Sequence, residues 1–239
     1  MLLMSRQLRR RARCGLTWSL FLEKESAMTQ RPQRIPYFPV ENMDNAMLAV
    51  MEQCALEGTP RPESSAIRAH SRGAFWAFAD GWEKLFRSGV VEHELKELCR
   101  VYVSRSLRCE YCGNQRSPAA LASGLTEGKL DTLMNFETSA MYSQRERAAL
   151  SYAEAITWRL DPDEDFWDRL RVHFNEEELV ELACFIALTM GQQSWIRLLN
   201  IDHHQVMAGN SASMAPGMES AADLLAARQS EDYWVPKRA

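Results

Sequence analysis

The sequence lacks three features that would place it in other classes of protein. It has no surplus of basic charge, because 32 acidic residues outnumber 28 lysines and arginines and leave a formal net charge of −4. Nucleic acid calls for a basic face, so we expect no nucleic-acid partner. No apolar run approaches the ~20 residues that cross a bilayer, so we expect no membrane partner. No segment shows the period-two alternation of a strand, which predicts an all-α fold.

Cysteine is sparse, with six in 239 residues. The six are Cys14, Cys54, Cys99, Cys109, Cys112 and Cys184. Several lie inside apolar helical patterns, where a free cysteine packs as a small hydrophobe, and the spacing does not resemble a secreted disulfide framework. We therefore expect a reducing, cytoplasmic location with one special pair. Since no second pair stands at the spacing of zinc ligands, no metal site and no cofactor are expected.

Composition divides the chain into three parts. Residues 1–40 are expected to form a flexible N-terminal extension that ends in a proline-stiffened arm. Within it we expect either that Met28 is the true start or that the residues before Met28 form a disordered stretch. A secretory signal peptide is less favoured, because charged residues follow the short apolar run at once. Helical patterns over 41–206 predict an all-α domain. Residues 207–239 are expected to be a linker and a C-terminal helical tail.

Apolar residues three and four positions apart predict the helices of the central part. The predicted spans are 41–56, 67–87, 92–106, 109–123, 126–136, 143–158, a helix near 162–174, and 176–200. Ser143 and Asn175 each stand three positions before a glutamate, which is the pattern of a capping box. The last of these helices is apolar almost all round and is predicted to be central and buried.

Cys109 and Cys112 form a Cys-x-x-Cys pair at the predicted start of the 109–123 helix. Four interpretations are open: two packed thiols, half of a zinc site, a disulfide that staples the fold, or a redox pair. A helix start at Cys109 favours the redox pair, because residues i and i+3 share a face and backbone N–H groups there lower a thiol pKa. Glu97, upstream, is either part of this site or a surface carboxylate paired with Arg100 or Arg116.

Together these residues resemble the alkylhydroperoxidase D-like, carboxymuconolactone decarboxylase superfamily over about residues 66–201. The resemblance is carried by Glu97, Ser104, Cys109, Tyr111, Cys112, Ala119 and Gly124, by His70, and by the segments 143–155 and 174–182. It implies an all-α fold that assembles as a homotrimer or homohexamer. It also implies peroxiredoxin-type chemistry on a hydroperoxide or disulfide substrate, with a thiol reductant protein as partner. In such proteins a glutamate and a histidine relay protons to the cysteine pair.

Arg116 is the departure from that pattern, because the family has histidine four residues after the second cysteine. Arginine stays protonated at neutral pH and cannot act as a general base. On a continuous helix Arg116 would lie one turn beyond Cys112, where it could pair with Glu97 or stabilise a thiolate. The predicted catalytic residues are Cys109, Cys112, Glu97 and Arg116, with weak activity. The alternatives are a carboxymuconolactone decarboxylase-like lyase and a non-catalytic helical oligomer.

The resemblance generates one direct test at position 116. Replacing Arg116→His is expected to raise the rate of peroxide consumption, because imidazole can carry a proton that guanidinium cannot release. The measurement is the initial rate with hydrogen peroxide and an excess of dithiol reductant. An unchanged or lower rate in the variant would contradict the proposed interruption of the relay.

Overall fold

A computed structural model describes residues 33–201, which form ten α-helices and no strand in that range, so the predicted all-α fold is confirmed. The predictions for residues 1–32 and 202–239 lie outside the described residues. The helices are α1 Asn45–Glu57, α2 Pro62–Arg68, α3 Arg72–Trp82, α4 His93–Ser106, α5 Glu110–Gly113, α6 Pro118–Ala122, α7 Glu127–Asp131, α8 Gln144–Trp158, α9 Glu164–Arg171 and α10 Glu176–Leu199. Short 3₁₀ turns lie at Val40–Asn42 and Leu133–Asn135, and a π turn at Glu83–Arg87 extends α3.

Helices α4, α8 and α10 pack against one another and form the main core. Leu98, Leu150 and Leu182 supply one fully buried side chain from each helix. The capping boxes predicted at Ser143 and Asn175 are both present and begin α8 and α10. By length and composition alone α10 could also cross a membrane, but its contacts with α4 and α8 make it the core helix of this domain.

The arm before α1 is bonded to the helical domain from residue 34 onward. The Arg34 N–H donates to the Leu199 carbonyl at 2.8 Å, and the Phe38 N–H donates to the Ala66 carbonyl at 3.0 Å. His70 Nε2 lies 2.9 Å from the Pro36 carbonyl oxygen. These bonds fasten the arm to α2 and to the end of α10.

Two predicted helices are each divided in the structure. The span 67–87 is wrong, because α2 already begins at Pro62 and α3 begins separately after Ser71, whose hydroxyl caps it. The span 109–123 is also wrong, because it divides into α5 and α6. Pro118 explains the second break: the residue before a proline avoids the helical conformation, and proline suits the first helical position. Ser117 accordingly has extended backbone and caps α6.

A buried ion pair joins α4 to α10 next to the site described below. Lys96 is 1% exposed, and its Nζ donates to Glu181 Oε1 at 3.0 Å and to the Ser88 carbonyl at 2.6 Å. The Glu181 carboxylate also accepts from the N–H groups of Val90 and Val91. Gly89 lies against it with a φ of +100°, and a Cβ there would overlap the carboxylate, so this turn requires glycine.

Replacing Glu181→Gln is expected to lower the free energy of unfolding by about 3–5 kcal/mol, because it leaves the buried Lys96 charge without its counter-ion. Urea denaturation at neutral pH measures the loss. Burial alone would raise the pKa of Glu181, but the two backbone donors and Lys96 outweigh it and lower the pKa below 4.5. The stabilisation is therefore present above the ordinary pKa and is lost as the pH falls through the lowered value.

The matched control is Glu137→Gln, an exposed carboxylate for which a change within about 0.5 kcal/mol is expected. Equal effects of the two substitutions on stability would contradict the role given to the Lys96–Glu181 pair.

Candidate active site

Helix α4 supplies a carboxylate and a guanidinium that are both buried. Glu97 is 0% and Arg100 is 1% exposed. The side chains lie on the same face because they are three residues apart, and Arg100 donates from Nε at 2.6 Å and from Nη2 at 2.8 Å to the two Glu97 oxygens. This bidentate arrangement is the strong form of the ion pair. The alternative that places Glu97 at the protein surface is wrong, although Arg100 is one of the two partners predicted for it.

The remaining donors of Arg100 hold the segment that carries the cysteines. Nη1 donates to the Cys112 carbonyl and Nη2 to the Gln115 carbonyl, each at 2.7 Å. The Ser117 N–H donates to Glu97 Oε1 at 3.1 Å. One buried ion pair thus satisfies the backbone groups at the end of α5 and at the start of α6. The cysteine segment therefore depends on α4 for its position.

The two cysteines of the pair meet in the structure. Cys109 and Cys112 are free, 2% and 4% exposed, and their Sγ atoms lie 2.6 Å apart. Since a disulfide bond is about 2.05 Å long, a small movement suffices to join them. The helix that follows Cys109 is much shorter than predicted, because α5 has only four residues. A long helix dipole is therefore not available to lower a thiol pKa at this pair.

The electrostatics of the pair come from its immediate neighbours. The hydrogen bond from the Cys112 thiol, helped by the Cys112 backbone N–H and by the charges of Arg100 and Arg197, outweighs burial and lowers the pKa of Cys109 below 9.0. Burial, together with the bond to Cys109 and its charge, raises the pKa of Cys112 well above 9.0. The pair therefore gives up its first proton more easily than an isolated thiol and its second proton less easily, which favours a nucleophilic thiolate.

Arg116 pairs with Glu127 and not with Glu97, so the first of the two possibilities given for it is wrong. Its guanidinium binds the exposed Glu127, with Nε 2.8 Å from Oε1, and donates from Nη1 to the Gly113 and Gln115 carbonyls. The break between α5 and α6 removes the shared helix face on which the prediction depended. A catalytic role for Arg116 stays a prediction, and the Arg116→His rate tests it.

Two further polar side chains near the cysteines have structural partners. The Tyr111 hydroxyl is buried and donates to Glu63 Oε2 at 3.2 Å. His93 is connected to Glu97 through Ser117, whose side chain contacts His93 and whose N–H donates to Glu97. Its Nε2 is 2.7 Å from Ser117 Oγ and its Nδ1 is 3.0 Å from the Phe86 carbonyl. Because a carbonyl only accepts, Nδ1 carries a proton and donates to the Phe86 carbonyl, and in the neutral ring Nε2 accepts from the Ser117 hydroxyl.

The sequence does not reveal most of the other residues that surround the thiols. Cys112 lines a small cavity together with buried polar residues of α2 and α10, and Arg100 also borders it. The useful signal was the three-residue spacing of Glu97 and Arg100. No comparable signal marks Arg68 or Gln193, because they come from segments far apart in the chain. Among the described residues no group of three or more His, Cys, Asp or Glu side chains is arranged to hold a metal ion.

The lowered pKa of Cys109 is testable by measuring thiolate absorbance against pH and subtracting the curve of a variant that lacks Cys109. In the wild type we expect a midpoint below 9.0. Replacing Cys112→Ala removes the largest cause of the shift and is expected to raise the midpoint. Cys112→Ser, which keeps a hydrogen-bond donor, is the matched control and is expected to raise it less. Equal midpoints in wild type and Cys112→Ala would contradict this origin of the shift.

Comparisons with known proteins place this helical arrangement. Residues 72–155 match the family model of the carboxymuconolactone decarboxylase family. YdfG of Bacillus subtilis (strain 168) is 31% identical over 107 residues, which are 44% of this chain and 72% of YdfG. YnjA of Escherichia coli (strain K12) is 29% identical over 111 residues, which are 45% of this chain and 59% of YnjA.

Two solved structures share the fold. The debrominase Bmp8, as a cysteine-to-alanine variant in complex with 2,3,4-tribromopyrrole, has a TM-score of 0.60 at 20% identity and covers 72% of this chain and 91% of its own. A protein from Agrobacterium tumefaciens, described as a candidate antioxidant defence protein AhpD, has a TM-score of 0.50 at 26% identity and covers 56% of this chain and 93% of its own. With its helices, its cysteine pair and these relatives, the chain belongs to the carboxymuconolactone decarboxylase family.

Proposed function

We propose that the protein is a cysteine-based peroxidase or thiol–disulfide oxidoreductase in which Cys109 and Cys112 cycle between dithiol and disulfide. The observation that carries the proposal is the contact of the two free sulfurs at 2.6 Å inside a buried site. Two thiols that merely pack need no shared proton. A sulfur pair with one lowered and one raised pKa favours attack by one thiolate and resolution by its neighbour.

Cys112 is the sulfur that lines the cavity, so we assign the attack to it. Cys109 carries the charge in the resting pair, because its pKa is the lowered one and that of Cys112 is the raised one. In the proposed step the Cys109 thiolate first takes the Cys112 proton, which places the negative charge on Cys112. The thiolate attacks one peroxide oxygen, the S–O bond forms, the O–O bond breaks, and the departing hydroxide takes the Cys109 proton to give water. The Cys109 thiolate then attacks the Cys112 sulfenic sulfur, the S–S bond forms and hydroxide leaves, to be protonated by solvent. Two thiols are oxidised and one peroxide is reduced.

Arg100 and Glu97 act in this proposal as positioning residues. The guanidinium fixes the backbone of Cys112 and adds positive charge near both sulfurs. Glu97 keeps that guanidinium in place and offsets its charge. A thiol or dithiol reductant restores the pair by exchange through a mixed disulfide. A reductant protein as partner and assembly as a homotrimer or homohexamer stay predictions.

The decisive experiment counts free thiols in the reduced protein before and after hydrogen peroxide. The wild type is expected to lose two thiols per chain rapidly and to regain both with a dithiol reductant. Cys109→Ser and Cys112→Ser are each expected to stop disulfide formation between the pair. Because Cys184 is exposed and lies outside the site, Cys184→Ser is the matched control and should keep the two-thiol loss.

Thiols that stay inert at Cys109 and Cys112 would overturn the proposal and leave the decarboxylase-type lyase or the non-catalytic oligomer. Thiol loss that persists in the Cys109→Ser, Cys112→Ser double variant and disappears in Cys184→Ser would also overturn it, because the oxidation would then belong to a surface thiol.

A further inference from the structure

A small cavity lies between α2, α3 and α10, with Cys112 in its wall. Its volume is about 20 Å³, while a single water needs roughly 10–15 Å³ measured in the same way. The space inside the cavity therefore holds a molecule of about the size of water or hydrogen peroxide, whereas an aromatic ring or a long alkyl chain would have to remain outside it or displace its walls. Arg68, Thr59 and Gln193 are among the polar residues that line it.

Arg68 brings a buried positive charge to this wall. It is 4% exposed, and its Nε and Nη2 both donate to Gln192 Oε1, at 3.1 and 2.8 Å. Its guanidinium carbon lies 3.6 Å from the centre of the Phe78 ring. Among the described residues Nη1 has no hydrogen-bond partner. Burial lowers the pKa of Arg68 to about 10, so it remains charged at neutral pH.

Thr59 and Gln193 each add one more buried polar atom that lacks a hydrogen-bond partner among the described residues. The residues are 1% and 3% exposed, and within residues 33–201 neither Thr59 Oγ1 nor Gln193 Oε1 has a hydrogen-bond partner. The orientation of the Gln193 amide is set by its nitrogen, which donates to the Arg100 carbonyl at 3.2 Å and to Thr189 Oγ1 at 2.9 Å. A carbonyl cannot donate, so the nitrogen must face Arg100 and the oxygen is the unpartnered atom.

Three residues that line one cavity thus each carry a buried polar atom without a partner among the described residues, and such atoms are costly unless a ligand satisfies them. Arg68 Nη1 can only donate, Gln193 Oε1 can only accept, and the Thr59 hydroxyl can do both. The complementary ligand therefore both donates and accepts hydrogen bonds and is very small. Hydrogen peroxide, with two O–H donors and lone pairs on both oxygens, has this character. A simple anion lacks the donor that Gln193 requires.

We propose that this cavity is a hydrogen peroxide subsite, in which Arg68, Thr59 and Gln193 hold the peroxide beside Cys112 and exclude bulky organic hydroperoxides. The inference rests on the proposed function and names the substrate class for it. Arg68 has a further part in the step, because negative charge develops on the departing oxygen as the O–O bond breaks. A donor that is already in place for that charge stabilises the transition state more than the ground state.

The test compares the reduced wild type with Arg68→Met and Thr59→Val in their rates of Cys112 oxidation by hydrogen peroxide and by cumene hydroperoxide. Alkylation of Cys109 by iodoacetamide, measured in the Cys184→Ser background, is the reference reaction, since Cys109 is not among the residues that line the cavity and reports the thiolate reactivity of the pair without a peroxide. The wild type is expected to react at least about tenfold faster with hydrogen peroxide than with cumene hydroperoxide, which does not fit. Arg68→Met is expected to slow the hydrogen peroxide reaction about 100-fold relative to alkylation, and Thr59→Val about tenfold, the size expected for one hydrogen bond.

Thr59→Ser and Arg68→Lys are the matched controls, because each keeps its donor group, and both should retain more of the peroxide rate than Val and Met. Thr59→Val conserves side-chain volume and tests the subsite even if Arg68→Met fails to fold. Hydrogen peroxide rates that do not change relative to alkylation would overturn the inference and assign the cavity to a structural water. Equal wild-type rates with both peroxides would overturn the size selection. Wild-type thiols that react with iodoacetamide but with neither peroxide would overturn both the subsite and the peroxidase form of the proposed function.

Discussion

The buried ion pair between Glu97 and Arg100 is the interaction on which the site depends. Removing two charges from water costs several kcal/mol per ion, and this pair offsets the cost with two mutual hydrogen bonds and three more to backbone groups of the cysteine segment. The segment 107–117 has one short helix of its own. Its geometry is therefore determined from α4, and the distance between the sulfurs follows from that anchor.

This arrangement changes which arginine matters near the thiols. Arg116 stands where the family resemblance predicts a histidine, but its guanidinium binds Glu127 at the surface. Arg100 and Arg68 are the guanidinium groups whose charges act on Cys112. One is neutralised by Glu97 and positions the backbone, while the other has no carboxylate within ion-pair distance among residues 33–201. Two buried cations with different partners thus lie near Cys112, one of which anchors the backbone and the other of which we propose for ligand binding.

Much of the fold could be predicted because its signals are local. The capping boxes at Ser143 and Asn175 and the apolar faces of α4, α8 and α10 depend on spacings of three and four residues, and the structure confirms them. The helix boundaries at Ser71 and Ser117 were not predicted, although each serine is a cap and Pro118 follows the second. The reason is that the apolar periodicity continues across both boundaries and hides these local signals. Propensity alone did not show that α5 stops after one turn.

The sequence by itself determined the helical class, the family and the pair Cys109 and Cys112, since these reside in periodicity and in a short motif. Only the tertiary structure decided that Glu97 is buried with Arg100, that Arg116 faces Glu127, and that Arg68, Thr59 and Gln193 meet beside Cys112. The physical reason is the range of the interactions. A motif or a cap acts over three or four residues, whereas the cavity wall joins α2 and α10, which are more than a hundred residues apart and come together only when the core is packed.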